Sequence, residues 1–344
     1  MKKIDLFVPG RLCLFGEHSD WAGEHRKNDK TVMAGKCIIA GTDQGIYGST
    51  ESAENGFHIT QILPDGSKST VHSYPYSPEA LRKIAESAVF DSYAAGTACT
   101  ILEQYPDLGL RLEVSKRDLP LKKGLSSSAA TCVLVARAFN LVHGLNLSIE
   151  EEMEVAYKGE LLTGSLCGRM DQACAYGRNP VLLTFDGDEM TAEPLSNREP
   201  LYFLMVDLQA KKNTRRILED LNASFSAGNG LIRKALGEEN HRITAEACMA
   251  IERGDPEQLG KLMTEAQRVF DEMISPECPS ELTAPILHEM LRNKAAGDLA
   301  WGGKGVGSQG DGAAQFICKG NSERRLLKDK LVRDHGVLCH DLTL

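Results

Sequence analysis

The stretch Pro120-Leu121-Lys122-Lys123-Gly124-Leu125-Ser126-Ser127-Ser128-Ala129-Ala130 places one glycine and three consecutive serines directly ahead of an apolar, alanine-rich run. If that run is a helix, its first backbone N–H groups have no partners inside it and sit at the positive end of the helix dipole. A glycine there lets the backbone approach a bulky anion, and the serine hydroxyls offer bonds to phosphate oxygens or hard ligands for Mg²⁺. The chemistry on offer is a phosphate cradle formed by Gly124, Leu125, Ser126, Ser127, Ser128 and Ala129. The competing reading is an ordinary serine N-cap on a buried helix, and the pattern by itself weighs the two about equally. No G-x-x-x-x-G-K-[ST] occurs, so this is not a Walker A loop.

Two other segments concentrate polar chemistry. In Pro9-Gly10-Arg11-Leu12-Cys13-Leu14-Phe15-Gly16-Glu17-His18-Ser19-Asp20-Trp21, apolar residues anchor a dense polar tip of Glu17, His18, Ser19 and Asp20. Acceptors at such close spacing suit a polyhydroxylated ligand; the spacing fits no standard metal set, and a solvated turn is the plain alternative. Residues 302–312, GGKGVGSQGDG, contain a G-x-G-x-x-G that includes Gly305 and Gly307. A dinucleotide fingerprint follows a strand and opens a helix, whereas this one precedes the strand-like AAQFICK, so the Rossmann reading is rejected. A flexible glycine loop beside phosphates is retained.

Between these segments lie Glu160 and Asp171, in GELLTGSLCGRMDQACAYG. Two carboxylates and a serine-rich anion cradle are the parts of a phosphoryl-transfer site, one acid for the metal and one facing the attacking hydroxyl. Without the other segments, two surface acids would be the better account.

The elements that position these residues follow from patterning. Two short strands are expected over 4–15, split at Pro9-Gly10, with further strands at 36–48, 57–63, 108–116, 180–185, 201–208 and 313–319. Helices are expected over 79–105, 128–141, 150–162, 212–224, 231–253, 256–274, 281–295 and 321–334, with 302–312 as an interrupting glycine stretch. A chain of 344 residues exceeds the roughly 250–300 at which one core stops growing, so two domains are expected, 1–195 and 196–344, parted at the polar SNREP. The net charge of −9 argues against general nucleic-acid binding, and no apolar run of about 18 residues exists for a membrane span. Ten scattered cysteines without a C-x-x-C pair read as reduced, mostly buried thiols, and the expected location is cytoplasmic.

With those residues in view, the sequence resembles the GHMP kinase family, named for galactokinase, homoserine kinase, mevalonate kinase and phosphomevalonate kinase. PGRLCLFGEHSDW looks like the galactokinase signature PGRxNLxGEHxDY, PLKKGLSSSAA matches the family's ATP-phosphate loop, and GGKGVGSQGDG is similar to its third glycine loop. The resemblance implies an α+β, two-domain fold, N-terminally like ribosomal protein S5 domain 2 and C-terminally ferredoxin-like. It implies ATP- and Mg²⁺-dependent transfer to a small-molecule hydroxyl, most like the sugar kinases and their anomeric hydroxyl. By position, Asp171 in CGRMDQ is then the catalytic base or hydroxyl partner, with Arg11 beside it as an opposite charge. Glu17, His18 and Asp20 contact the sugar, Ser127 or Ser128 with Glu160 holds Mg²⁺, and Gly124–Ser128 cradle the phosphates.

The chain departs from the galactokinase pattern at Trp21, in the charged stretch AGEHRKNDKTVMAGK, in the Glu160–Asp171 spacing and at Asp311. His25, Arg26, Lys27 and Lys30 are candidates to face an acidic sugar, with a solvated basic loop as the favoured alternative. The rival functions are a mevalonate- or homoserine-type kinase, a non-catalytic sugar and ATP sensor, and, distantly, a nicotinamide dehydrogenase. Oligomeric state is not legible in the sequence.

Overall fold

The computed structural model describes residues 3–63, 65–119, 125–165 and 167–344. In chain order the elements are β1 (Ile4–Phe15), α1 (Ser19–Glu24), β2 (Gly35–Ser52), β3 (Phe57–Thr60), β4 (His72–Tyr74), α2 (Pro78–Glu86), α3 (Ser92–Gln104), β5 (Leu110–Arg117), α4 (Ser127–His143) and α5 (Ile149–Leu161). A 3₁₀ segment, Arg169–Tyr176, leads to β6 (Val181–Asp186), β7 (Glu189–Pro194), β8 (Tyr202–Asp207), α6 (Thr214–Ser226), α7 (Gly230–Lys234), α8 (Asn240–Arg253) and α9 (Pro256–Met273). The chain closes with α10 (Pro279–Leu282), α11 (Pro285–Leu291), α12 (Lys294–Leu299), β9 (Ala300–Gly305), β10 (Ala313–Cys318), α13 (Asn321–His335) and β11 (Leu338–Thr343).

Two compact units emerge: Met1–Arg11 with Gly41–Arg178, and Leu12–Ala40 with Asn179–Leu344. Segment 12–40, which the sequence reading assigns to the N-terminal part, clusters with the C-terminal residues because β1 and β2 each run through a unit boundary.

In the first unit, β4, β3, β5 and the distal part of β2 lie side by side. β3 and β5 are parallel, which requires the long crossover that β4, α2 and α3 provide. α4 has eleven of its seventeen residues buried, Ala129 to Ala136 among them, and is apolar around most of its circumference. Such a helix can only be a central one, and it packs on α3 and α5. α5 starts with a complete capping box, Ser148 and Glu151 satisfying each other's backbone N–H groups.

In the second unit, β8, β9, β10 and β11 form an antiparallel sheet in the order β11-β8-β10-β9. With helices between β8 and β9 and between β10 and β11, this β-α-β-β-α-β order is ferredoxin-like. Leu204, Val206, Leu287, Met290, Phe316, Leu327 and Leu331 build the core between sheet and helices. The proximal part of β2 pairs with β6, and β6 with β7. Ala235–Glu239, between α7 and α8, forms a π-helical turn, after which Asn240 Nδ2 donates to the Lys36 carbonyl (2.8 Å) and His241 Nε2 meets the Ala34 carbonyl (2.5 Å).

The structure corrects several sequence expectations. Residues 4–15 are one strand, not two: Gly10 marks a close approach, since a Cβ there would collide with Leu119, the Leu125 carbonyl and Thr42. The helix expected over 79–105 is two, α2 and α3, parted at residues 87–91. The helix expected over 281–295 is broken by Pro285, which has no N–H and pushes Ala284 out of the helical region (φ +40°), and again by Asn293, whose side chain caps α12. Gly302–Gly305 belong to β9, paired with β10, so glycine content alone misstates this stretch as loop. Strands β4, β7 and β11 and helix α1 lie outside the elements that patterning predicts. All ten cysteines are free thiols, seven of them buried.

Candidate functional site

In the first unit, β1 delivers Arg11 and the 3₁₀ segment delivers Asp171. Arg11 Nε donates to Asp171 Oδ1 (3.1 Å), and its Nη2 bonds the same oxygen. The pair is mostly enclosed, with side chains 8% and 21% exposed. Arg11 is held from its other side as well, its backbone N–H donating to the Leu125 carbonyl just before α4 (3.2 Å). One strand residue thus bonds both the aspartate and the residue that opens the serine run.

Glu160 lies in the last turn of α5 and is 1% exposed. Its carboxylate accepts from Gln172 Nε2 (2.9 Å) and Ser165 Oγ (3.4 Å), and the Ser128 hydroxyl bonds it too. These donors are neutral. Burial, reinforced by the neighbouring charge of Asp171, pushes the Glu160 carboxyl up to about 7 despite them. Gln172 is itself fully buried and its Oε1 has no hydrogen-bond partner.

A buried carboxylate, a serine hydroxyl and an orphaned amide oxygen are hard oxygen donors of the kind Mg²⁺ accepts, so the residues present fit that ion. Among the described residues no group of three or more His, Cys, Asp or Glu converges. A magnesium ion shared between nucleotide phosphates and one carboxylate needs no such group.

α4 begins under unusual backbone conditions. Its N-cap, Ser126, is left-handed (φ +51°, ψ +52°) and makes no side-chain capping bond. A non-glycine residue held there costs about 1 kcal/mol, which surrounding structure must offset. Ser126, Ser127 and Ser128 are half-buried, whereas the Leu125 and Ala129 side chains are buried, so those two can offer only backbone groups to a ligand. Gly124 lies outside the described residues. Cys132 and Cys174 nearby are buried thiols, the latter raised to about 12 by burial, and are inert packing groups.

In the second unit, Glu17, His18 and Asp20 are all buried. The Glu17 carboxylate forms an ion pair with Lys304 of β9, a lysine only 1% exposed that also donates to the Gly305 carbonyl (3.1 Å). Lys304 is absent from the sequence-derived set, because no local signal links residues so far apart in the chain. His18 caps α1 in a left-handed conformation (φ +68°). Trp21 Nε1 donates to His18 Nδ1 (3.1 Å), which assigns the ring proton to Nε2; that atom lies under the Ser308 backbone without a well-formed bond. Burial and the charges of Lys212 and Lys304 hold His18 down at about 4, so it is neutral at ordinary pH.

Gly305 donates its N–H to Gln267 Oε1 (2.7 Å), and Gly307 sits in the following turn at φ +62°, where a side chain would be strained. Asp311, the acid in that turn, accepts the Leu287 N–H at the start of α11 (2.8 Å). In the basic stretch 25–30, Arg26 pairs with Asp186 (2.6 Å) and Lys27 with Asp188 (2.5 Å), and Asp29 is bound by Arg233 (3.0 Å).

Comparison with known proteins accords with this arrangement. Residues 92–178 match the model described as GHMP kinases N terminal domain, a span that includes Ser126–Ser128, Glu160 and Asp171. The chain is 27% identical over 283 residues to a galactokinase of Actinobacillus succinogenes, covering 78% of this chain and 68% of that protein. It is also 27% identical over 318 residues to a mevalonate kinase of Aeropyrum pernix, covering 87% and 86%. Its fold follows that of the Lactococcus lactis galactokinase solved with galactose, with a TM-score of 0.72 at 18% identity over 100% of this chain and 94% of the other. No described helix is long and apolar enough to cross a membrane. In fold, in motif order and in the relatives it matches, the chain is similar to the GHMP kinases, which are small-molecule phosphotransferases.

Proposed function

We propose that the chain transfers the γ-phosphoryl group of ATP to a hydroxyl of a monosaccharide, the anomeric one, with Mg²⁺. The observation that carries this reading is the Arg11–Asp171 pair, set in one unit with a buried carboxylate, Glu160, and the serine-rich start of α4. In the reaction a bond forms between the acceptor oxygen and the γ-phosphorus, the bond to the β–γ bridging oxygen breaks, ADP leaves, and the hydroxyl proton passes to Asp171. The Leu125–Ala129 backbone and the serine hydroxyls receive phosphate oxygens, and Arg11 orients Asp171. Ser128 and Glu160, with Ser127, would hold Mg²⁺, whose contribution is to neutralise phosphate charge.

Acceptor recognition is assigned to the polar tip of the second unit, with the His18 Nε2 proton and the Asp20 carboxylate as sugar partners. Glu17 acts there through its ion pair with Lys304. A neutral sugar is favoured over a uronate, because Arg26 and Lys27 already answer Asp186 and Asp188. Support for a sugar over an isoprenoid acid comes from the GEHSD tip; the relatives include galactokinases and a mevalonate kinase alike.

The test is a coupled ADP-release screen over galactose, arabinose, fucose, glucuronate, galacturonate, mevalonate and homoserine. Turnover on a neutral monosaccharide is expected. Turnover on mevalonate or homoserine alone would replace the acceptor assignment, and nucleotide and sugar binding without ADP release would make the chain a sensor.

A further inference from the structure

The second unit contains a cavity of about 560 Å³ that the chemistry above does not use. α9 forms one wall with Gln267 and Asp271, the α11–α12 region another with His288 and Arg292, and Trp301 and Phe316 of the sheet form the floor. The volume is that of a small-molecule site. Trp301, on the edge strand of the sheet, is 37% exposed, and Lys319 Nζ stands 5.1 Å from the centre of its ring.

The charges of the wall are already arranged for a guest. Glu272 is answered by Arg268 one helical turn away (2.5 Å). Asp271 accepts from Gln267 Nε2 (2.8 Å) and lies 3.6 Å from His288 Nε2. With those carboxylates engaged inside the wall, the Arg292 guanidinium is the group left to meet a ligand, and it meets an anion. The indole of Trp301, in the same lining, adds aromatic surface, with the Lys319 ammonium over its ring as a second positive charge.

Both walls are bonded to the glycine turn that contains Gly305 and Gly307. Gln267 holds the Gly305 N–H from α9, and Asp311 of the turn holds the Leu287 N–H of α11. A guest that moves α9 against α11 therefore acts on both ends of the turn. We propose that this cavity is an effector site for a small molecule with a planar apolar body and one anionic group, coupled to the 305–312 turn through Gln267. The proposal is independent of which acceptor the chain phosphorylates.

The probe is anilinonaphthalene sulfonate, which has that shape and charge, titrated into the full chain by fluorescence. One site is expected. Gly297 lines the cavity and a Cβ built on it meets nothing within 4 Å, so Gly297→Trp fills the space without displacing the backbone. That variant should bind the dye about tenfold more weakly or worse. In the unaltered chain, bound dye should slow hydrogen exchange across residues 305–312 by about fivefold. Gln267→Leu should keep the dye and lose that protection. Dye binding unchanged in Gly297→Trp overturns the site; dye bound with exchange at 305–312 unchanged overturns the coupling. Both readouts stand whether or not the screen above finds a sugar.

Discussion

Glu17 and Glu160, one from each unit, are both buried, and the two are treated in opposite ways. Glu17, in the second, has a lysine ammonium within its shell of contacts. Glu160, in the first, has among the described residues an amide and two hydroxyls for partners, with a second carboxylate, Asp171, near enough to raise it further. A buried charge without a counter-charge is a poor structural element, since burial penalises the ionised form. The contrast separates a completed structural pair from a group left short of one positive charge. In the proposed reaction that deficit is met by a cation at Glu160, whereas Glu17 already has its lysine.

The contrast can be broken in order of effect. Asp171→Asn should cut turnover by about 10²–10⁴-fold while the protein keeps its circular dichroism spectrum; near-normal kcat would remove Asp171 from the chemistry. Breaking the completed pair should cost stability instead. Lys304→Met alone is expected to lose about 3–5 kcal/mol by urea denaturation, with much of that recovered in the double variant Glu17→Gln, Lys304→Met; an additive loss would mean that the two residues are not a pair.

Glu160→Gln should do the reverse in metal-free protein. The folded carboxyl titrates near 7, above its ordinary 4.5, so its contribution is fully present below about pH 4.5 and is lost as pH rises through 7. The loss amounts to about 3 kcal/mol, and the glutamine variant should lack this slope in Tm against pH and be the more stable protein above pH 7. A parallel slope in both proteins would show that Glu160 carries no such penalty. The smallest change is Trp21→Phe, which leaves His18 Nδ1 buried without its donor and should cost about 1–2 kcal/mol in urea; an unchanged midpoint would mean that the ring is held by packing on Phe270 alone.

How much of this the sequence reveals depends on the distance over which a feature is decided. α4 is legible because fourteen consecutive residues without Pro or Gly, nearly all apolar, leave no other element. The serine run and the CGRMDQ stretch are legible as short motifs, although the role of Gln172 beside Asp171 is not, because its partner lies on α5. The pairing of Arg11 with Asp171 comes from family resemblance; nothing in the spacing of residues 160 apart requires it. Lys304 is illegible for the same reason, and its glycine neighbours conceal even the strand it occupies. Pro9-Gly10 misleads, since a glycine needed for a close approach reads the same as one needed for a turn.

The π-helical turn at Ala235–Glu239 has one remaining implication. A π turn carries an extra residue relative to α geometry, and each α-helical residue rotates the axis by about 100°. The turn takes up that surplus residue locally: the stripe Ile243, Ala247, Ile251 of α8 still faces inward, and Asn240 and His241, directly after the widened turn, reach the carbonyls of Lys36 and Ala34. Deleting any one of residues 235–239 should convert the turn to regular α winding and leave the inward stripe of α8 in phase, so the surplus residue sets a local widening beside β2 and not the direction of the helix.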